Sequence, residues 1–500
     1  MKDWLDDNNR YLEASLQWLR LRLKKLVPQE NQSASYLPEP DEPIKPPGDA
    51  SRGRFSKWVG ASSRPVKEVL LLPEGKQPSL GDQIAEAAAE RNKAAGMDPP
   101  PALLLLADRF GLSSFERDTL LLCAAVEFDP SLASWCELAQ GQSRNYPTFS
   151  LALSLFDDAS WDALSAQRPL RYARLIEISQ PGSTPLTAGA LRADERIVNF
   201  LKGLNVLDDR LATLVQALNA DEEAAVSESQ RTVVDSVFQR LRLLATGSSL
   251  PVIQLIGIDA GSRVSVARQV CELANRRLYS LSIETLPAQL PEMEMFVRLW
   301  QRESALLPVA LYVDVDQVDN TPGGTSASLL KFLSRSAGMV FVGARDTPLP
   351  IRGASFSVEV AMPTAAEQCE AWTNIIEALA PEQESREIAQ RLAGQFNLNQ
   401  NDIHRAAESS QSLADDEPIE TRLWRAGRDF VRPRLDSLAQ RLEPKATWDD
   451  LVLPDEHMLQ LRQIAGQVRD RHKVYDQWGF ARTMNRGFGI SALFSGESGT

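Results

Sequence analysis

Leucines recur at alternating four- and three-residue steps near the start of the chain. Their positions are Leu12, Leu16, Leu19, Leu23 and Leu26. This spacing places them on one face of a helix, and Lys24 and Lys25 follow with the charge that suits a helix C-terminus. Residues 1–27 are therefore predicted to form an amphipathic helix. Its apolar face has two possible destinations: the body of the chain itself, or a partner protein or neighbouring subunit.

The periodic pattern stops at Pro28. Residues 28–66 alternate proline with Glu, Asp and Ser, a composition that cannot bury enough apolar surface to fold. We expect an extended linker here. Such a linker would allow the N-terminal helix to dock at a distance from the rest of the chain. This favours the hypothesis that the helix binds a partner or another subunit.

Helical periodicity returns in residues 67–222, most clearly from Ala102 to Phe110 and from Phe115 to Ala125. An apolar run from Leu170 to Ile178 predicts a strand, and the segment from Leu191 to Leu204 predicts a helix. The order indicates a mostly helical domain with a small β wing. Winged-helix domains that bind DNA have a similar outline, but acidic residues outnumber basic ones here, so protein contact is the favoured role.

Short apolar runs alternating with helices begin at Val252, which is typical of a parallel α/β sheet. The predicted strands are Val252 to Ile256, Val309 to Val313 and Met339 to Gly343, and a helix is predicted from Ser265 to Arg276. A helical tail follows from Pro363. These features predict an α/β core over residues 223–362 and a helical lid over residues 363–432.

The first of these strands runs into a glycine-bearing turn and a helix, the context of a phosphate loop. The residues that match GxxxxGK[ST] are Gly257, Ile258, Asp259, Ala260, Gly261, Ser262, Arg263 and Val264. In a working loop the last three places hold glycine, a lysine that reaches the phosphates, and a hydroxyl that holds magnesium. Because Val264 has no oxygen to offer a metal, the site is predicted to be degenerate.

Two later positions support the same interpretation. Asp314 stands where a magnesium-organising aspartate is expected, but Val315 replaces the glutamate that would activate water. Asp316 is a doubtful substitute, since successive residues of an extended chain point to opposite sides and Asp316 would point away from the side of Val315. After the next strand, Ala344 and Arg345 stand where a polar sensor of the γ-phosphate is expected. Two roles for this module remain open: a structural scaffold, or nucleotide binding without turnover.

A second loop of this kind lies at the end of the printed sequence. Residues 433–500 contain the segment Thr447 to Val452, a predicted helix from Asp455 to Val474 and a predicted strand from Ile490 to Phe494. The residues Gly496, Glu497, Ser498, Gly499 and Thr500 then fit the first five places of GxxxxGK[ST]. We expect the start of an active ATPase module, whose lysine, acidic residues and other catalytic groups would follow Thr500; no catalytic residue is assigned within the chain itself.

Composition sets limits on partners and location. The net charge is −13, which argues against nucleic acid as the main partner because duplex binding needs clustered Lys and Arg. No apolar run is long enough to cross a bilayer and no secretory signal is evident, so a cytosolic location without membrane contact is expected. Four widely separated cysteines and three scattered histidines predict buried, reduced thiols and no metal centre.

The chain resembles AAA-type ATPases with two tandem modules. The segment from Trp448 to Thr500 is similar to the opening of such modules, in which the residues matching Leu451 and Val452 border the adenine. An N-terminal segment from Leu104 to Asp118, placed before a degenerate module, resembles the ATPase encoded with phage-tail-like contractile injection systems. An unrelated Rossmann-like domain fits the strand order and helical tail less well.

That resemblance implies a multidomain protein: a winged-helix-like N-terminal domain, an α/β AAA+ P-loop module with a helical lid, and the start of a second AAA+ module. It also implies ATP and Mg²⁺ as cofactors, a homo-hexameric ring, and ATP-driven remodelling of a protein substrate or injection-system component. The alternatives are a non-catalytic scaffold or adaptor, and a general tandem AAA unfoldase unrelated to injection systems. A DNA-binding regulator would need a basic face, which the composition does not indicate.

Overall fold

The computed structural model describes most of the chain in two compact units. The described residues are 2–27, 79–141, 144–218, 226–244, 250–287, 289–316, 325–381, 385–411, 417–431, 447–471, 473–480 and 489–495. The first unit ends at Val206 and the second begins at Leu207. The predicted linker, residues 28–66, lies outside the described residues. Within the described part, no helix is long and apolar enough to cross a membrane.

The first unit is mainly helical. Its helices are α1 (Lys2–Leu26), α2 (Leu80–Ala94), α3 (Ala102–Phe110), α4 (Ser114–Phe128), α5 (Ser131–Gln140), α6 (Phe149–Leu155), α7 (Pro169–Tyr172) and α8 (Glu195–Leu201). Local sequence explains several of their ends. Ser113 and Glu116 form a capping box at the start of α4, and Gly111 ends α3 with a positive φ of 60°, a conformation that glycine adopts without a steric penalty.

Helix α1 packs within this unit against α2, α5 and α6. Leu12, Leu19 and Leu23 are buried, as is Trp18, which stacks on Phe156. The hypothesis that the leucine face docks on a partner is therefore wrong. The physical reason is that the helical body offers the apolar surface that this face needs, so no external protein is required to cover it.

A two-stranded antiparallel hairpin completes the first unit. Its strands are β1 (Ile176–Ser179) and β2 (Ala190–Ala193). The predicted wing is therefore present, although each predicted element was too long. Residues 170–178 divide into helix α7 and strand β1, and residues 191–204 into strand β2 and helix α8, because Asp194 caps α8 directly after the strand.

The second unit is built on a six-stranded sheet with the order β3-β5-β6-β7-β4-β8. The strands are β3 (Val215–Ala217), β4 (Val252–Ile256), β5 (Arg277–Leu281), β6 (Val309–Asp314), β7 (Met339–Ala344) and β8 (Ser355–Glu359). All neighbours run parallel except β3, which pairs antiparallel with β5. Strand β3 lies inside the stretch 67–222 that the sequence assigns to the helical domain, yet it forms one edge of this sheet.

Helices cover both faces of the sheet, which explains why its strands read as continuous apolar runs. One face packs against α9 (Asp209–Ala212), α12 (Leu290–Leu306) and α13 (Thr325–Leu333). The other packs against α10 (Glu228–Leu244) and α11 (Ala260–Leu273). Strand β4 lies between β7 and the edge strand β8, and the loop that follows it begins the candidate site.

Four helices form the lid. They are α14 (Ala365–Leu379), α15 (Ser385–Gln395), α16 (Gln400–Gln411) and α17 (Ile419–Val431). Trp372, Ile403 and Leu423 are fully buried at the centre of their shared core. The start of α16 contacts α11 of the sheet domain, so the lid reaches the loop that follows β4.

The segment after residue 447 is largely exposed. A 3₁₀ turn (Trp448–Asp450), capped by Thr447, precedes helix α18 (Asp455–Arg469), which has no buried residue. Residues 490–494, predicted to form a strand, have no regular secondary structure. A strand needs hydrogen-bonding neighbours, and no other strand occurs in the described residues after 447 that could supply them.

Candidate functional site

The candidate site lies at the carboxyl end of β4, where open α/β sheets usually bind ligands. The chain leaves the strand at Gly257 and enters α11 at Ala260, with Asp259 as the N-cap residue. A Cβ at position 257 would lie 2.1 Å from the backbone oxygen of Val360. Two backbone segments therefore approach each other so closely that only glycine fits at position 257, and this steric requirement does not depend on a ligand.

The Asp259 carboxylate occupies the N-terminus of α11. Its Oδ2 accepts a hydrogen bond from the backbone N–H of Ser262 at 2.6 Å and another from Nδ2 of Asn399 in the lid at 2.9 Å. In a phosphate loop the N–H groups of this turn bind phosphate oxygens. Here an aspartate of the same chain is the bound anion.

Arg263, which stands in the place of the phosphate-binding lysine, is completely buried. Its Nη2 donates to Oδ2 of Asp314 at 3.0 Å and to Oδ2 of Asp316 at 2.6 Å. Its Nη1 donates to the backbone oxygen of Gly257. The structure therefore brings Gly257, Arg263, Asp314 and Asp316 together, as the sequence predicts, but it pairs them with one another.

Electrostatics stabilises this arrangement. Burial opposes the charge of Arg263, but hydrogen bonds to Asp316 and Tyr312 and the negative charge of Asp314 outweigh it and raise the pKa of the guanidinium. Burial is also the main cause of the raised pKa of Tyr312, which remains neutral beside the ion pair. Arg263 is thus a permanent cation whose charge is already matched.

The two valines of the site point away from this polar cluster. Val264 packs against the apolar layer formed with α10 and α11. Val315 is buried in the layer on the other face of the sheet, with Leu329 and Phe332 of α13. Asp316 lies on the same side as Asp314, and its backbone N–H donates to Asp314 Oδ1 at 3.0 Å. Asp316 therefore acts as a second counter-charge for Arg263.

The residues present do not fit a magnesium nucleotide. The anion-binding N–H of Ser262 is bonded to Asp259, the cation of Arg263 is paired with both acids, and Val264 supplies no metal ligand. A phosphate group would need these contacts to break and would then face an unpaired carboxylate. In the described part of the chain, no group of three or more His, Cys, Asp or Glu side chains could hold a metal ion.

Two lid residues belong to this site and were missed by sequence reasoning. Asn399 is 4% exposed and contacts Asp259, while Nδ2 of Asn401 donates to Oγ of Ser265 at 2.9 Å. A Cβ on Gly261 would lie 2.5 Å from Nδ2 of Asn399. The available signal was the pattern Asn397, Asn399, Asn401 around the start of α16. Asparagines there indicate helix capping, but they do not reveal a contact 140 positions away.

The remaining predicted positions lie elsewhere. Arg345 and Asp346 are exposed after β7, and Ala344, the last residue of that strand, is buried and apolar. Leu451 and Val452 are 39% and 96% exposed, and their predicted contact with adenine remains a prediction. Residues 496–500 lie outside the described residues, so the second phosphate loop also remains a prediction.

Comparisons with known proteins support two parts of this organisation. Residues 5–215 match the family model "Winged helix domain, variant", which confirms the predicted winged-helix region and includes α1 in it. Residues 364–433 match the family model "Contractile injection system ATPase helical domain". These residues coincide with the four lid helices, so the lid is similar to the helical domain of injection-system ATPases.

Solved structures similar to this chain include AAA domains, at low identity. C. elegans PCH-2 is 13% identical, with a TM-score of 0.33, over 45% of this chain and 76% of that one. The FIGL-1 AAA domain in complex with ADP is 12% identical, with a TM-score of 0.33, over 53% and 98%. No curated protein matches the chain.

Proposed function

We propose that this chain is part of an AAA-type ATPase that remodels a protein complex of a contractile injection system. The observation that carries this proposal is the match of residues 364–433 to the helical domain of injection-system ATPases. The sheet to which this lid is attached has a strand, a glycine-bearing turn and a helix in the order of a phosphate loop. A lid and a core of this kind form one ATPase module.

In this proposal the first module is a scaffold and does not hydrolyse ATP. Hydrolysis needs a group that activates water and a cation that stabilises the charge of the transferred phosphoryl group. Val315 is buried in an apolar layer, and Arg263 is engaged by Asp314 and Asp316. Neither catalytic requirement is met by the first module.

Catalysis is assigned to a second module that begins near residue 447. Leu451 and Val452 would border the adenine, the loop starting at Gly496 would bind the phosphates of ATP, and the residues that follow Thr500 would hold Mg²⁺ and activate water. The active protein would be a homo-hexameric ring in the cytosol, with a protein component of the injection system as its substrate. Two other roles remain as alternatives: a non-catalytic adaptor, and an unfoldase with no connection to injection systems.

Phosphate release tests this proposal directly. The 500-residue chain should show no turnover. In the protein that continues beyond Thr500, replacing the lysine expected two positions later should abolish turnover, whereas Arg263→Ala should leave most of it. Turnover on the order of one per second by the 500-residue chain, lost in Arg263→Ala, would show instead that the first module is catalytic. No turnover in the longer protein would favour the adaptor.

A second measurement addresses the biological assignment. The longer protein, tagged and expressed in cells that also produce a contractile injection system, should co-purify with defined components of that system. Retention of ATPase activity without any such association would favour the general unfoldase.

A further inference from the structure

We infer that the lid of the first module is held on its core by an internal clasp, in which the Asp259 carboxylate takes the place of a nucleotide phosphate. The clasp consists of Asp259, Gly261 and Ser265 from the core and Asn399 and Asn401 from the lid. It fixes the lid without nucleotide. This inference rests on the first module alone and holds whether or not the second module is an ATPase.

The core half of the clasp is the N-terminus of α11. A helix N-terminus presents unpaired N–H groups and a partial positive charge, both of which favour an anion. Asp259 supplies that anion from the same chain, through its bond to the N–H of Ser262. Its Oδ2 also faces the lid, where it accepts from Asn399. One carboxylate therefore caps the helix and binds the lid.

The lid half uses both N–H donors and the oxygen of a buried amide. Asn399 has two N–H donors, which go to Asp259 and Asp402, while its Oδ1 accepts from the backbone N–H of Asp402 at 2.8 Å. The last bond caps α16. The two bonds to Asp402 lie within the lid, so only the N–H that donates to Asp259 depends on lid closure. Opening the lid would expose or orphan that donor.

Shape supports the same conclusion. Gly261 leaves room for the Asn399 amide, because a Cβ there would lie 2.5 Å from Nδ2. Besides the bond between Asn399 and Asp259, Asn401 donates a hydrogen bond to the hydroxyl of Ser265. This hydroxyl in turn donates to the backbone oxygen of Gly261 at 3.0 Å. Two lid side chains are thus hydrogen-bonded to the N-cap and first turns of α11, where the N–H groups of a phosphate loop would bind phosphate.

Hydrogen exchange of α11 and α16, followed peptide by peptide in the 500-residue chain, tests the clasp. Asp259→Ala should speed exchange in α16 by about tenfold, because it removes a hydrogen bond to a charged group. Asn399→Ala should speed it by more, because it also removes the side-chain cap of α16. Asn374→Ala, at an exposed position of α14, is the matched control and should leave exchange unchanged. The double variant should exchange more slowly than the product of the two single effects, since both remove the same contact.

Two outcomes would overturn the inference. One is strict additivity of Asp259→Ala and Asn399→Ala, which would show that the two side chains do not act on each other. The other is a slowing of exchange in α11 and α16 when Mg·ATP is added to the unaltered chain, if the same addition has no effect on Arg263→Met. That result would show that the first module binds nucleotide. Unchanged exchange with Mg·ATP supports the clasp, and the readout at α11 separates it from any binding near residue 500.

Discussion

Replacing Arg263 by methionine isolates the ion pairs at the centre of the first module. Methionine retains much of the aliphatic length and removes the charge. Arg263 is fully buried, while the side chains of Asp314 and Asp316 are 37% and 27% exposed. Removing one partner of a fully buried ion pair costs about 3–5 kcal/mol. Because water reaches both carboxylates here, we expect a smaller loss of about 2–3 kcal/mol in the free energy of local unfolding.

Hydrogen exchange is a suitable assay, because it reports local stability in a chain with more than one unit. Peptides covering β4, β6 and β7 should exchange about 30- to 150-fold faster in Arg263→Met, which is the expected loss expressed as an equilibrium constant. Arg345→Met, at an exposed position after β7, is the matched control and should change stability by less than about 0.5 kcal/mol.

A triple variant separates loss of charge pairing from loss of packing. Arg263→Met combined with Asp314→Asn and Asp316→Asn removes all three charges at similar volume, and neutral replacement of a whole ionic cluster is often well tolerated. We expect the triple variant to recover at least half of the lost stability. If Arg263→Met exchanged like the control, or if the triple variant were less stable than the single one, the guanidinium would not be the organising charge of this site.

Two further predictions concern buried side chains of the two units. Leu19→Ala in α1 should destabilise the first unit by about 2–5 kcal/mol, because it removes buried apolar surface and leaves a cavity. The thermal midpoint of unfolding should fall accordingly, whereas Glu13→Ala, on the exposed face of the same helix, should have little effect. An unchanged midpoint for Leu19→Ala would support the hypothesis that the helix docks on a partner. Burial raises the pKa of Cys271 from 9.0 in the unfolded chain to about 12. Between these two values the thiol stays protonated in the folded state and loses its proton in the unfolded state, so the free energy of unfolding should fall as pH rises from about 9 towards 12. In Cys271→Ala, the free energy of unfolding should depend less on pH over this range. The same pH dependence in both proteins would contradict the raised pKa of Cys271.

Sequence patterns predicted the α/β core well because its strands are continuous apolar runs. The bounds of β4 agree with the prediction, and those of β6 and β7 differ by one residue. Helix α11 begins five residues earlier than predicted, at Ala260, since the role of Asp259 as an N-cap was not considered. Strand β3 was not predicted because a three-residue edge strand has too few residues to show a period.

The site shows a different limit. The residue types at positions 263, 264 and 315 predict a degenerate phosphate loop, and this stays a prediction. They do not indicate that Asp259 and Asn399 contact each other, since aspartate is common in turns and Asn399 lies in the lid, 140 positions further along the chain. The destination of α1 could not be predicted either, because an amphipathic helix has the same pattern whether its apolar face covers its own domain or a partner.

The residues at the candidate site of the second unit depend on one another through ion pairs and packing. Without a phosphate to bind, a buried cation at position 263 needs counter-charges, and Asp314 and Asp316 supply them. Val315 is part of the apolar core, so a glutamate in its place would bury a carboxylate without a partner, which is strongly unfavourable. A lysine at position 263 would have one nitrogen for the contacts that two arginine nitrogens make, Nη2 with the two acids and Nη1 with the backbone oxygen of Gly257. Restoring any single catalytic residue would therefore disturb the packing or the ion pairs without completing a site, because Asp259 would still occupy the anion position. Asp314 has a structural role in this arrangement as a counter-charge of Arg263.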